Sequence, residues 1–367
     1  MKKQFFWLAL GVSTLCACTE TDVIEESSVQ SNAIGFENVI RKTTRAEVTG
    51  DLDQDGFDLF SVYCYYTKND DLGNEMAPVK LFDNQTVTKT ADGWTYEGTR
   101  YWMPGTKYNF YAYSCADVAL QSDDKGIPSF EVPTTVTEAT KLDERGLKIN
   151  NYVCDATHQH DLIVAAVEGI DGKNENNDKV HFSFRHALCK VSAEFVNDFP
   201  QGYTVTVSDV KLCNFYNKAS LNVRSLKDAL ILPTDPTDAQ MKALQDGVWN
   251  NQTRFTTEGA TETEIAMPIK DNKTDALFMI PVYYDNANLR LEFTITVAQG
   301  DDVFLTRKLR GTWKPVWIPG RAYKYEIHIN GDNAQLEPIV FETSQDITGN
   351  ESWGADITTS ITFGIAD

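Results

Sequence analysis

From Ile34 almost to its last residue, the chain alternates apolar or aromatic side chains with polar ones in short runs. That period of two is the mark of strands with one face toward a core. The runs are Leu59–Tyr66, Tyr108–Tyr113, Leu162–Val167 and His181–His186, the last continuing through Leu188–Val196. Tyr203–Val210, Leu277–Tyr284, Leu289–Val297, Val303–Arg310 and Tyr323–Ile329 follow. Asp55-Gly56, Pro104-Gly105, Pro319-Gly320 and Asn330-Gly331 punctuate them as turns. Many short strands with regular turns predict an all-β chain of sandwiches, not a parallel α/β sheet. One helix is expected, over Asp238–Gln245.

The pattern also divides in two. Gly172 to Lys179 is the most polar interior stretch, and the halves on either side echo each other. Trp102-Met-Pro-Gly-x-x-Tyr108 is matched by Trp317-Ile-Pro-Gly-x-x-Tyr323, each followed by an alternating aromatic strand. A Pro-Gly turn feeding a strand, with Trp packed beside Tyr, accounts for both. The repeat predicts two related β-sandwich domains, 34–175 and 176–340, with a tail at 341–367.

The first residues follow another rule. Lys2 and Lys3 precede a short apolar run from Phe5 to Leu15, and Cys18 follows the small Ala17. The run is shorter than the roughly 20 residues a membrane helix needs, so residues 1–17 read as a lipoprotein signal peptide. Cys18 is the expected lipid acceptor, so the mature chain would begin there, carry acyl chains and work outside the cytoplasm. Residues 18–33 are polar and acidic without periodicity, and read as a flexible tether.

Net charge is −20, and becomes −22 once Lys2 and Lys3 leave with the signal. Such acidity repels nucleic acid, so no nucleic-acid partner is expected. Beyond the signal stand Cys64, Cys115, Cys154, Cys189 and Cys213. Their odd number and spacing match no disulfide or zinc framework, so mostly free thiols are expected, with one disulfide left open.

Taken in order, Trp94-x-Tyr96, Tyr101-Trp102-x-Pro104-Gly105, Tyr108-x-Phe110-x-Ala112-Tyr113 and Asp161-Leu162-Ile163-x-Ala165 resemble the fimbrillin-like lipoproteins. Phe182-x-Phe184-x-His186-Ala187-Leu188-x-Lys190-Val191 and Trp317-x-Pro319-Gly320-x-x-Tyr323-x-Tyr325-x-Ile327 extend the match. These are the type V pilins and related adhesins of anaerobic Gram-negative bacteria. The resemblance implies two transthyretin-like β-sandwich domains in tandem. It implies a structural or adhesive pilus subunit at the cell surface, with other pilin subunits as partners and a host or bacterial surface as target.

In stalk subunits of this family an arginine-specific surface protease removes the lipid and first strand, and a strand from the next subunit fills the groove. Arg45, followed by Ala46, matches that cleavage position, while Arg41 and Lys42 are competing sites. The segment 34–45 would be the strand removed, with Ile34, Phe36 and Ile40 on one face. At the other end Ile357, Thr359, Ile361, Phe363 and Ile365 share one face of a candidate donor strand. The same residues also suit a last strand of their own domain. Stalk, tip and anchor roles stay open. So does a second function, a monomeric, lipid-anchored carbohydrate-binding protein.

Signals for catalysis are weak. His158-x-His160 beside Asp161 offers too few ligands for zinc, and His186 lies in an apolar strand. Asp51-x-Asp53-x-Asp55-Gly56 begins like a calcium loop, but Val62 stands where the bidentate acid belongs. No phosphate loop, nucleophile elbow or HExxH helix is present. The expectation is no enzyme, no cofactor and no metal.

Overall fold

The computed structural model describes residues 33–38, 58–74, 76–115, 127–132, 146–172, 179–223, 239, 249–254, 263–281, 289–312, 315, 317–330, 341–343 and 362–365. Among them every element is a strand, and the strands form four sheets. The all-β expectation holds. Of the expected helix only Ala239 is among the described residues.

The first sheet contains β1 (Phe36–Asn38), β2 (Leu59–Lys68), β3 (Val79–Thr90), β4 (Gly93–Tyr96), β5 (Thr106–Cys115), β8 (Leu162–Asp171), β9 (Val180–Phe182) and β10 (Arg185–His186). Their order is β10-β8-β5-β2-β3-β4-β1-β9. The sequence predicts one strand over His181–His186. Instead the run breaks into β9 and β10, which lie at opposite edges of this sheet. Only Ser183 and Phe184 separate them, so the sheet curls until its two edges approach each other. Phe182 and Phe184 both point into the enclosed core, as their spacing of two predicts, while the backbone changes partner from β1 to β8 between them.

Alternation explains how this sheet serves two cores. On β2, Phe60, Val62 and Cys64 face the aromatic interior of the curl, with Phe36, Phe82, Phe110 and Phe182. Tyr63 and Tyr65 face the opposite way, with Tyr111, Tyr113, Leu162 and Val164, into the larger core. A strand buried on both faces reads as nearly continuous apolar sequence, which is why β2 and β5 stand out in the chain.

The second sheet, ordered β14-β13-β7-β6, pairs β6 (Ile127–Glu131) and β7 (Gly146–Val153) with β13 (Tyr216–Asn222) and β14 (Trp249–Arg254). It draws on both sides of residue 175. The third holds β11 (Cys189–Asn197), β16 (Ile269–Lys270), β17 (Lys273–Thr274), β18 (Leu277–Met279), β21 (Ala322–Ile329) and β22 (Phe341–Thr343). Within it β11 and β21 run parallel in register from Lys190↔Ala322 to Asn197↔Ile329. The fourth, ordered β15-β12-β19-β20-β23, contains β12 (Tyr203–Cys213), β15 (Glu264–Ala266), β19 (Arg290–Gln299), β20 (Asp302–Thr312) and β23 (Thr362–Ile365). The third and fourth sheets meet through inward rows such as Phe195 and Phe293, whose rings lie 4.9 Å apart.

The two Trp-x-Pro-Gly motifs fold alike. Gly105 and Gly320 have φ of 75° and 71°, which the second central position of a Pro-Gly turn demands. All five cysteines from Cys64 to Cys213 are buried and free.

Candidate functional site

The most informative surroundings belong to the residues just before the expected cleavage point. Residues 33–38 run between two parts of the first sheet. Phe36 is in register with Trp94 of β4 on one side, antiparallel. On the other side Phe36, Glu37 and Asn38 run parallel to Val180, His181 and Phe182 of β9. Ala33 bridges Tyr101, and the Ile34 N–H donates to the Arg100 carbonyl at 2.8 Å. The Ile34 carbonyl accepts from Tyr96 Oη at 2.8 Å, and the Gly35 carbonyl from the Val180 N–H at 2.8 Å. A strand bonded on both sides is an interior strand, although it contributes only three residues.

Its side chains close the core. Ile34 and Phe36 are 1% and 2% exposed. The Phe36 ring meets five others: Tyr96 at 5.5 Å, Phe82 at 5.7 Å, Phe182 at 5.9 Å, Phe60 at 6.0 Å and Phe110 at 6.2 Å. Four meet it edge-on and Phe182 stacks on it, the arrangements ring quadrupoles favour. Burying Ile34 and Phe36 contributes about 1.5–3 kcal/mol each. Loss of the strand would leave the Val180 N–H and the Arg100 carbonyl without these partners, at about 1–3 kcal/mol each where buried. The polar face carries Glu37, whose Oε2 lies 3.5 Å from His181 Nδ1, an exposed and weak pairing.

At the far end of the chain, β23 pairs with β20 of the same molecule, from Leu309↔Ile365 to Thr312↔Thr362. Phe363 and Ile365 therefore lie in an edge strand, whereas Ile357, Thr359 and Ile361 fall outside the described residues. Only the last four residues of β20 are covered. Among the described residues, Asp302–Lys308 have β19 on one side and no strand on the other. Cys18, Arg45, Ala46, Arg41, Lys42 and Ile40 also fall outside the described residues, as do Asp51, Asp53 and Asp55.

The histidines are structural in their contacts. His186 Nδ1 lies 2.5 Å from Asp161 Oδ2 beneath the surface. This pair holds the point where the chain crosses from β10 to β11, beside the Ala187 N–H bond to the Leu162 carbonyl at 2.7 Å. His158 stacks edge-on against Tyr152 at 5.3 Å and His160 at 5.5 Å. Among the described residues no group of three or more His, Cys, Asp or Glu is placed to hold a metal.

The neighbours of Phe36 are not legible in the sequence. Phe60, Phe82 and Tyr96 surround Phe36, but nothing local marks them as neighbours of one ring. Gln159 carries no sequence signal either. Its Oε1 accepts from the Phe278 N–H at 2.8 Å and its Nε2 donates to the Asp155 carbonyl at 3.0 Å. With the Cys154 thiol on the Phe278 carbonyl at 2.6 Å, it clamps the loop after β7 onto β18.

A family model described as fimbrillin-like matches residues 44–344. The fimbrium subunit Fim1C of Phocaeicola vulgatus is 22% identical, with the alignment covering 88% of this chain and 90% of that one. A crystal structure of a candidate cell adhesion protein from Bacteroides uniformis is 17% identical. It covers 92% of this chain and 99% of its own, with a TM-score of 0.44. A fimbrial assembly protein from Parabacteroides distasonis is 12% identical, covering 84% and 96%, with a TM-score of 0.33.

Proposed function

This chain belongs to the fimbrillin-like family, and from that premise we propose that it is a structural and adhesive subunit of a cell-surface fimbrium, built by strand complementation. In this reading Cys18 carries lipid that holds the precursor on the outer membrane. An arginine-specific surface protease cuts between Arg45 and Ala46. The lipid and residues 34–38 then leave, and a strand from another subunit takes their place. The C-terminal face Ile357, Thr359, Ile361, Phe363 and Ile365 supplies that strand. The subunit is read as two sandwich units, with β9 and β10, beyond residue 175, completing the first and the sheet β14-β13-β7-β6 drawing on both halves. The work is assembly and adhesion, not catalysis.

One observation carries the reading: the segment upstream of Arg45 is an interior strand with its aromatic side chain at the centre of the first core. A sheet deprived of such a strand exposes an apolar groove and a row of unpaired backbone groups. An extended peptide satisfies both at once, through main-chain bonds and alternate side chains. The link from Asn38 to β2 holds Arg45, so one cut there separates the strand from everything it completes.

N-terminal sequencing of protein recovered from the cell surface tests the proposal. A mature chain starting at Ala46 is expected. A chain that still begins at lipidated Cys18 within assembled fibres overturns the cleavage step.

A further inference from the structure

Resting on that strand-exchange reading, we propose that the slot of residues 34–38 selects Ile-x-Phe and that its occupant is the tail of a second copy of this chain. The tail enters in the leader's own polarity, Ile361 in place of Ile34 and Phe363 in place of Phe36.

The slot is demanding at two positions two residues apart. Ile34 and Phe36 are almost wholly buried, whereas Glu37 between β4 and β9 is exposed. The second position lies within 5.5–6.2 Å of five ring centroids, so a smaller side chain leaves a cavity and a larger one overpacks. Ile-x-Phe occurs three times in the chain: at 34–36, 339–341 and 361–363. The leader that fills the slot and the tail that would replace it therefore carry the same pair at the same spacing.

Polarity is decided by the backbone, because Ile361-Thr-Phe-Gly-Ile365 presents the same apolar pattern in both directions. The leader lies parallel to β9 and antiparallel to β4, donating to the Arg100 carbonyl and accepting from the Val180 N–H. A strand of the same polarity meets both groups where they stand. Thr362 then takes the place of Gly35, where a Cβ would come 3.1 Å from Lys179 Cγ. The lysine side chain must give by a few tenths of an ångström. Gly364 takes the place of Glu37, opposite His181, and makes no demand.

The other copy of the pair is costlier to release. Phe341 begins β22, which lies on β21 in register with Ile327 and Tyr325, both buried. Withdrawing β22 uncovers a core strand. Withdrawing β23 uncovers only Leu309–Thr312 of β20, a strand whose remaining residues already lack a neighbour on that side among the described residues.

Engineered cysteines read the register directly, since the five internal native thiols are buried. Full-length His181→Cys protein and full-length Gly364→Cys protein are each processed, mixed and oxidised, so that only intermolecular disulfides count. The leader register Glu37↔His181 places residue 364 opposite 181, and a linked dimer is expected. Linkage to Thr362→Cys instead reverses the polarity and overturns the proposal. Linkage to Glu342→Cys assigns the slot to residues 339–343 and also overturns it. As a second readout, full-length Phe363→Ala protein should form ladders at least tenfold less efficiently than wild type, and Phe341→Ala protein should not. Ladders that form with no linkage at any of these positions defeat the register while strand exchange stands. Absence of both ladders and linkage in the wild-type background defeats strand exchange as well.

Discussion

The backbone N–H of Ile318 donates to the phenolic oxygen of Tyr323 at 2.9 Å, five residues along the chain and across a Pro-Gly turn. Met103 and Tyr108 make the same bond at 2.9 Å in the other half. One step further the copies diverge. Trp317 Nε1 donates to Tyr325 Oη at 3.0 Å, whereas the corresponding position after Trp102 is Phe110. Among the described residues, Trp102 Nε1 is consequently buried without a hydrogen-bond partner. The motif's turn bond is common to both halves, and its tryptophan bond belongs to the second.

That divergence is measurable. Tyr325→Phe removes the acceptor from the buried Trp317 indole, and a loss of about 1–3 kcal/mol is expected in urea unfolding. The reciprocal Phe110→Tyr gives Trp102 an acceptor. A loss for Tyr325→Phe below a few tenths of a kcal/mol would show that the bond contributes little.

Phe36→Ala in the unprocessed chain empties the space between five aromatic rings. A destabilisation of about 3–5 kcal/mol is expected, the range for a buried phenylalanine. Thermal unfolding of the precursor measures it.

Gly172→Ala should disrupt the first motif from outside its sequence. The Gly172 N–H donates to the Thr106 carbonyl at 2.8 Å, while Thr106 Oγ1 holds the Met103 carbonyl at 2.5 Å. A methyl group at residue 172 would collide with that carbonyl and hydroxyl. Circular dichroism melts should show a loss of about 1–3 kcal/mol, typical of overpacking.

Glu194 supplies an acid-sensitive point on the third sheet. Hydrogen bonds from Lys273, at 2.8 Å, and Lys324 hold its carboxyl below the usual range. A lowered folded value means the stability it contributes is present above the ordinary carboxylate pKa. It is lost as pH falls through the lowered one. Urea midpoints of wild type should therefore drop more steeply below about pH 4.5 than those of Glu194→Gln. Parallel curves would assign the acid limb to other groups.

Burial pushes the Cys115 and Cys154 thiols up to about 12 and Cys213 to about 11. Thiolates are the reactive form, so a thiol reagent at pH 8 should label none of these three in native protein and all three in urea. The linkage has the opposite sign to that of Glu194. Stability is intact below the ordinary thiol pKa and is lost as pH rises from about 9 toward 12.

Much of this was legible before any fold was known. The strands β2, β5, β8, β11, β12, β19, β20 and β21 all follow runs that alternate or stay apolar in sequence. The strand β3 (Val79–Thr90) was not legible, because few of its residues reach a core and the sequence reads as polar. His181–His186 misled for a different reason. Its alternation is genuine, but its two ends pair with opposite edges of one sheet, and an alternating pattern does not record which neighbour a strand will find.

Sequence alone determined the class of structure, the paired Trp-x-Pro-Gly turns and the apolar spacing of the leader, since each depends on a few adjacent residues. Only the tertiary structure decided that Phe36–Asn38 is an interior strand, that five rings from distant positions enclose Phe36, and that β23 lies along an edge. Those outcomes depend on which surfaces meet after collapse, and pairing across a hundred or more residues leaves no trace in local periodicity.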